Sequence, residues 1–253
     1  MRPPQQWLRV VKPSADPRAR IVCFPHAGGA ASFYQTWGPF VPDGVELRAV
    51  RYPGREDRLL DPLARTMEEL VAPAVAECLP LLDRPLALFG HSMGASVAFE
   101  VARRLQEAHG ARIAALFVSG RSGPGRESVP EQSYATAPDH ELVRHLKELG
   151  GSETAALDHP DLLELVLPAI RADYRIVEEY RADPAGTVLD VPVVAYYGDA
   201  DEDVDAGSAA AWAPVTRASF TARAFAGGHF YLADHQDALL RDLLSRLGVP
   251  AAG

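Results

Sequence analysis

The stretch Leu88–Ser96, LFGHSMGAS, places a serine between two glycines, after an apolar run and ahead of a helical pattern. Gly90–Gly94 matches G-x-S-x-G, and the flanks give the match its weight. PLALF precedes it, and Val97, Ala98, Val101, Ala102 and Leu105 follow at the spacing of one helix face. A serine on such a strand-to-helix bend sits on strained backbone, and flanking glycines leave room where a Cβ would strike neighbouring main chain. The helix start also aims its first amides at whatever the serine attacks. Ser92 is thus the candidate nucleophile and the Met93 N–H a candidate oxyanion donor, against the plainer reading of a tight structural turn.

Working outward, short continuous apolar runs recur: RIVCF from Arg20, VELRAV from Val45, PLALFG from Pro85, IAALFVSG from Ile113 and VPVVAYYG from Val191, with SFTARAF as the last strand. Runs of this kind suit strands buried on both faces of a parallel sheet. Helical patterns alternate with them, among them Thr66 to Leu82, which Pro73 is expected to bend or interrupt. The fold class is therefore α/β, a mostly parallel central sheet with helices on both faces. From about 123 to 183 the rhythm breaks into helices, including Pro138 to Leu149 and the segment from Pro160, which predicts a helical lid inserted between two strands. Leu162, Leu163, Leu165, Val166, Leu167 and Ile170 cover more of that second helix than one buried face requires. They predict either an apolar ceiling over a pocket or plain packing.

A serine needs a base, and the base needs an orienting carboxylate. The expected chain order is serine, acid, histidine. His229, in the Gly-rich AGGHF turn after the last strand, is the candidate base, whereas His235 starts a helix and reads as a surface residue. The acid lies in YYGDADEDVD, where Asp199, Asp201 and Asp203 qualify by position. The G-x-x-D spacing favours Asp201 and leaves Asp199 as runner-up. A calcium loop is excluded there, because the sixth position is Val204 and the twelfth Ala210. CFPHAGGA after the RIVCF strand offers a second oxyanion donor, the Ala27 N–H; it lacks the G-x-G-x-x-G spacing of a dinucleotide loop. His26 and His91 are assigned packing roles.

Composition bounds the rest. The 253 residues suit a single domain over 1–253, and 47% hydrophobic with 23% charged residues are ordinary globular values. The formal net charge of −9 argues against nucleic acid as a partner. No apolar run reaches membrane-spanning length and the N-terminus lacks a signal-like segment, so a cytoplasmic protein without membrane partner is expected, with a monomer as default. Cys23 and Cys78 read as buried free thiols, with no metal-ligand spacing. Arg51, Arg55 and Arg58 in RYPGREDR read either as a solvated loop or as a basic docking patch.

PHAGG, YPGREDR, GHSMG, LPAIRADYRIVEEY, GDAD and GGHFYL together resemble the type II thioesterases of modular polyketide and nonribosomal peptide synthesis, members of the α/β-hydrolase superfamily. The resemblance spans nearly the whole chain, and PGRE and RADY are its most particular motifs. It implies an editing enzyme that removes stalled or misprimed acyl groups from the phosphopantetheine arm of acyl or peptidyl carrier proteins, with those carriers as partners. It also implies no metal or cofactor of its own, the phosphopantetheine arriving with the substrate. Glu202 stands where family members commonly have proline, a departure that bears on Asp199 versus Asp201. The alternatives are a general carboxylesterase or acyltransferase of the same fold and a non-catalytic carrier-binding module.

Overall fold

A computed structural model describes residues 7–126, 132–150, 157–183, 186 and 188–249. Its seven strands are β1 (Leu8–Lys12), β2 (Ala19–Phe24), β3 (Val45–Val50), β4 (Leu86–His91), β5 (Ala115–Ser119), β6 (Val193–Gly198) and β7 (Phe220–Phe225). They form one sheet in the order β1-β3-β2-β4-β5-β6-β7. Every pairing is parallel except β1 with β3, which is antiparallel and carries a register shift between Val10 and Lys12. The helices are α1 (Met67–Cys78), α2 (Met93–His109), α3 (Asp139–Leu149), α4 (Pro160–Glu179), α5 (Ala206–Ala210), α6 (Tyr231–Asp234) and α7 (Gln236–Arg246). This is the α/β-hydrolase arrangement that the motifs implied.

The continuous apolar runs are explained by two cores, one on each face of the sheet. Strand side chains alternate between faces with period 2. Val22, Phe24, Leu86, Leu88, Leu116, Val118, Val193 and Ala195 face α1 and α2. Their neighbours Ile21, Cys23, Ala87, Phe89, Ala115, Phe117, Val194 and Tyr196 face α7 and the 3-10 segment Ala31–Phe40, whose Trp37 and Tyr34 are buried. In the central strands β4 and β5, both faces being covered leaves no position for polar alternation, whereas the edge strand β7 stays partly exposed and carries Thr221 and Arg223. Both cysteines are free and buried within these cores. Burial pushes the Cys78 thiol up to about 12, and Cys23 up as well, which leaves both unreactive.

Local signals set the helix ends. Thr66 caps α1 by accepting from the Glu69 amide (3.3 Å), and Glu69 reaches back to the Arg65 amide (2.8 Å). Pro73 stands inside α1, which runs on through it rather than breaking. Gly110, at φ 60°, ends α2 in the left-handed conformation. The N-terminal strand β1 has no counterpart among the apolar runs read from the sequence, and RIVCF is the second strand rather than the first.

The insertion between β5 and β6 carries α3 and α4, which share a small core of Leu142, Leu157, Leu167 and Ile170. Glu178 of α4 accepts from the Tyr134 and Ala135 amides (2.7 and 3.2 Å), while Arg171 donates to the carbonyls of the same two residues, so α4 pins the segment leading to α3. Leu162 and Leu165 are exposed (45% and 52%), so the expected apolar ceiling is narrower than all six positions and leaves these two toward solvent.

Candidate active site

The site lies where β2, β4, β5, β6 and β7 end, at the carboxyl edge of the sheet, the customary ligand edge of an open α/β fold. Between β4 and α2 the chain must reverse within one residue. Ser92 does this at φ 54° and ψ −119°, a conformation costing on the order of 1–3 kcal/mol that persists only where its surroundings overdetermine it. Two close approaches supply that constraint. A Cβ on Gly90 would lie 2.1 Å from the Gly94 carbonyl oxygen, and a Cβ on Gly94 would lie 2.0 Å from the Phe24 carbonyl oxygen. The Ser92 amide donates to the Ser119 carbonyl (2.8 Å), tying the bend to β5. Met93 opens α2, so its amide lies outside the intrahelical ladder.

β6 and β7 deliver the acid and the histidine. Asp199 and Asp201 have separate partners: Asp199 Oδ1 accepts from the Gly227 amide (2.9 Å), whereas Asp201 Oδ2 lies 2.8 Å from His229 Nδ1. Asp199 thus ties the histidine loop to the acid turn, and Asp201 holds the imidazole itself. The Asp201 side chain is 1% exposed, and its other oxygen accepts from the Asp203 amide (3.0 Å). With Nδ1–H donated to a carboxylate, Nε2 is the nitrogen left to accept a proton. The turn is so tight that a Cβ on Gly198 would lie 2.3 Å from the Gly227 carbonyl oxygen. His235 is half-buried, and its Nε2 lies 2.9 Å from the Ala226 carbonyl, bracing the same loop, so it is more than a surface residue.

Ser92, His229 and Ala27 line a common cavity of about 400 Å³ with Ile170, Val166, Leu146, Leu149, Leu157 and Tyr174 of the lid. A smaller, more polar cavity of about 130 Å³ meets Ser92 and His229 from the other side, lined by Arg121, Ser122, Glu178 and Asp203. Asp201, Asp203 and His229 bring one ligand atom each within 4.8 Å, and His229 Nδ1 is already bonded to the Asp201 carboxylate.

His26, which also lines the larger cavity, and His91 are both buried, in keeping with packing roles. His26 lies edge-on to Phe33 and Phe230 (5.0 and 4.8 Å between ring centroids). His91 Nδ1 contacts the Ser119 hydroxyl (3.0 Å), which meets the Tyr231 hydroxyl (2.6 Å). Burial, then the neighbouring His229 and Arg55, lower His26 to about 3, and burial with the facing histidines lowers His91 well below its ordinary value. Both stay neutral at neutral pH and add no positive charge beside His229.

The RYPGREDR arginines depart from both readings made of them. Arg55 and Arg58 are buried (9% and 6%). Arg58 bonds Asp61 (2.8 Å) and the Arg51 carbonyl (2.6 Å) and lies over the Trp7 ring, while Arg55 makes a two-pronged pair with Asp173 of α4 (2.7 and 3.0 Å). The segment is neither a solvated loop nor an arginine patch open to a partner. Sequence reasoning missed the Arg55–Asp173 pair; the signal available was that PGRE and RADY each set a charge among otherwise apolar or turn residues.

A family model described as a thioesterase domain matches residues 19–247. The chain belongs to that family. Thioesterase PikA5 of Streptomyces venezuelae is 39% identical over 242 residues, covering 95% of this chain and 85% of its own length. Among solved structures, the type II thioesterase BorB from the borrelidin biosynthetic cluster superposes with a TM-score of 0.86 at 37% identity, over 97% of this chain and 98% of that one. The RedJ thioesterase from the prodiginine pathway of Streptomyces coelicolor gives a TM-score of 0.82 at 34% identity, over 92% and 94%. The type II thioesterase resemblance read from the motifs therefore stands, and no helix among the described residues is long and apolar enough to cross a membrane.

Two outcomes follow from this geometry. Gly94→Ala lowers stability by at least about 3 kcal/mol, because backbone and not a flexible side chain meets the new methyl, whereas Gly110→Ala, with open space around it, costs about 1 kcal/mol for its φ alone. Denaturant midpoints measure both. A histidine whose folded value is lowered binds its proton more readily when unfolded, so stability falls as pH drops from about 6.5 toward 3. Between pH 7 and pH 5 the loss through His26 is about 2 kcal/mol, and His26→Gln flattens the pH dependence of urea unfolding by that amount; equal slopes in the two proteins contradict the assignment.

Proposed function

We propose that this chain is a type II editing thioesterase, hydrolysing acyl groups from the phosphopantetheine thioester of acyl or peptidyl carrier proteins in polyketide or nonribosomal peptide synthesis. The observation that carries the reading is the 2.8 Å contact between His229 Nδ1 and Asp201, at a cavity that Ser92 also lines, in a chain of the thioesterase family. The likeness to thioesterases, among them the type II thioesterase BorB of a biosynthetic cluster, supports the substrate class, since a serine, histidine and carboxylate alone do not choose between leaving groups.

In this mechanism Ser92 Oγ attacks the thioester carbonyl while His229 Nε2 takes its proton, and Asp201 holds the imidazole tautomer and stabilises the imidazolium. The Met93 and Ala27 amides receive the oxyanion. The tetrahedral intermediate collapses as His229 returns the proton to the departing thiol, leaving an acyl-serine; water activated by the same histidine then hydrolyses it. The apolar wall of Leu146, Leu149, Val166 and Ile170 suits an acyl chain. The route uses side chains, amides and water, and the phosphopantetheine enters as part of the substrate. The carrier protein is the partner and the cytoplasm the compartment where such synthases work. With Arg55 and Arg58 turned inward, carrier docking falls to other surface.

Asp201→Asn lowers kcat by about 10³- to 10⁴-fold by presenting the wrong tautomer, while Asp199→Asn, which keeps an acceptor for the Gly227 amide, lowers it less than about tenfold. Steady-state rates on an acyl-carrier thioester measure this, and a larger effect at Asp199 reassigns the acid. Rates on that thioester against a matched oxygen ester test the substrate class: the thioester is cleaved faster, and a marked preference for the oxygen ester makes the chain a carboxylesterase.

A further inference from the structure

The Ala27 amide belongs to a loop that has little structure of its own. The turn His26–Gly29 closes with one backbone bond, from the Gly29 amide to the His26 carbonyl (2.9 Å), and Gly28 sits at φ 78°. A segment of this kind holds a catalytic amide in place only if something outside it fixes its peptide planes. Two groups do. The Gly28 amide donates to Asp173 Oδ2 (2.8 Å), and Arg55 Nη1 donates to the Gly29 carbonyl (3.0 Å). Those two side chains are bonded to each other through both Arg55 Nη1 to Asp173 Oδ2 (2.7 Å) and Nη2 to Oδ1 (3.0 Å). Arg55 is oriented in turn by donating Nε to the Pro53 carbonyl (3.2 Å).

The pair is out of water, with side-chain exposures of 10% for Arg55 and 3% for Asp173. A buried ion pair is a poor way to stabilise a fold, since apolar replacements of similar volume often do as well, and its useful property is a defined geometry. Here that geometry includes a main-chain donor and a main-chain acceptor, one on each side of the Gly28–Gly29 peptide unit. The two anchors come from elements far apart in the chain: Arg55 follows β3, and Asp173 lies near the middle of α4 on the lid.

We infer that Asp173, locked by Arg55, is a positioning residue for hydrolysis: it fixes the Gly28 peptide so that the adjoining Ala27 amide is presented to the cavity lined by Ser92. The inference rests on the thioesterase reading and adds to it a dependence of the oxyanion site on the lid. Because the carboxylate rides on α4, the loop keeps its working shape only while α4 is docked. This accounts for PGRE and RADY together, as the two halves of one clamp around HAGG.

The experiment compares wild type with Asp173→Ala, Asp173→Asn and Arg55→Lys on a short acyl-N-acetylcysteamine thioester, with a trifluoromethyl ketone analogue of the acyl group as the oxyanion mimic. Loss of a correctly placed oxyanion donor costs about 10²- to 10³-fold in kcat. Asp173→Ala is expected to show a loss of that order with KM changed less than about threefold, and a rise of similar size in the ketone's Ki. Asp173→Asn retains an acceptor for the Gly28 amide and recovers part of the loss. A merely structural lid tether predicts instead a raised KM, with kcat and Ki near wild type, and that result overturns the inference. Should the alanine variant fail to fold, the wild type still decides: the Gly28 amide proton is expected downfield and slow to exchange, and an ordinary, rapidly exchanging resonance contradicts the clamp. Wild type without thioester turnover means the thioesterase reading itself has failed, which is distinct from an active wild type whose variants keep full kcat.

Discussion

The site depends on one close approach of backbone to backbone. The start of α2 packs so tightly on the end of β2 that no atom fits between Gly94 and the Phe24 carbonyl, and the Pro25 carbonyl lies nearly as close. This contact has two consequences at once. It forces the chain at Ser92 into its unfavourable bend, and it brings the loop that begins at Pro25 alongside the first turn of α2. Ser92 and the Met93 and Ala27 amides are therefore placed by the same packing, at the ends of β4 and β2. The strain at Ser92 is sustained by the two cores on either side, each built from a continuous set of fully buried side chains.

The remaining chemistry is arranged around that point by elements with different degrees of support. Asp201 and His229 hang from β6 and β7, whose turns interlock through the Asp199 carboxylate and the Gly198–Gly227 contact. The histidine pair behind them illustrates how burial sets charge. His91 lies 5.0 Å from His229 and 5.9 Å from His26 between ring centroids, and both His26 and His91 are held neutral, so neither sets a positive charge beside the His229 imidazole. The lid lines the cavity with Leu146, Leu149, Val166, Ile170 and Tyr174, and it reaches the loop through the Asp173 carboxylate and through Ile170, which packs on Gly28.

Much of this was legible in the sequence because the local chemistry was unambiguous. LFGHSMGAS carried strand, bend and helix in nine residues, and the GDAD and AGGHF turns each followed a recognisable strand. What escaped notice shares a cause, dependence on partners distant in the chain. β1 is short, half-exposed at Val10 and paired only at the sheet edge with β3, so LRVVK lacked the continuous apolar signature of its neighbours. Arg55 looked like a loop charge because its carboxylate lies 118 residues away. The choice between Asp199 and Asp201 turned on a spacing rule, and only the folded turn separates them, by giving one a backbone amide and the other an imidazole. Leu162 and Leu165 looked like pocket lining because a helical pattern fixes which residues share a face and says nothing about how far a neighbouring element extends over it.

The central claim is that Ser92 is activated by His229 within this frame. The direct measurement is labelling with a fluorophosphonate probe, followed by peptide mass spectrometry on wild type, Ser92→Ala and His229→Ala. The account predicts a single adduct on the peptide containing Ser92 in the wild type, none in Ser92→Ala, and labelling slowed by orders of magnitude in His229→Ala. Equal labelling of wild type and Ser92→Ala, or an undiminished rate without the imidazole, would contradict it.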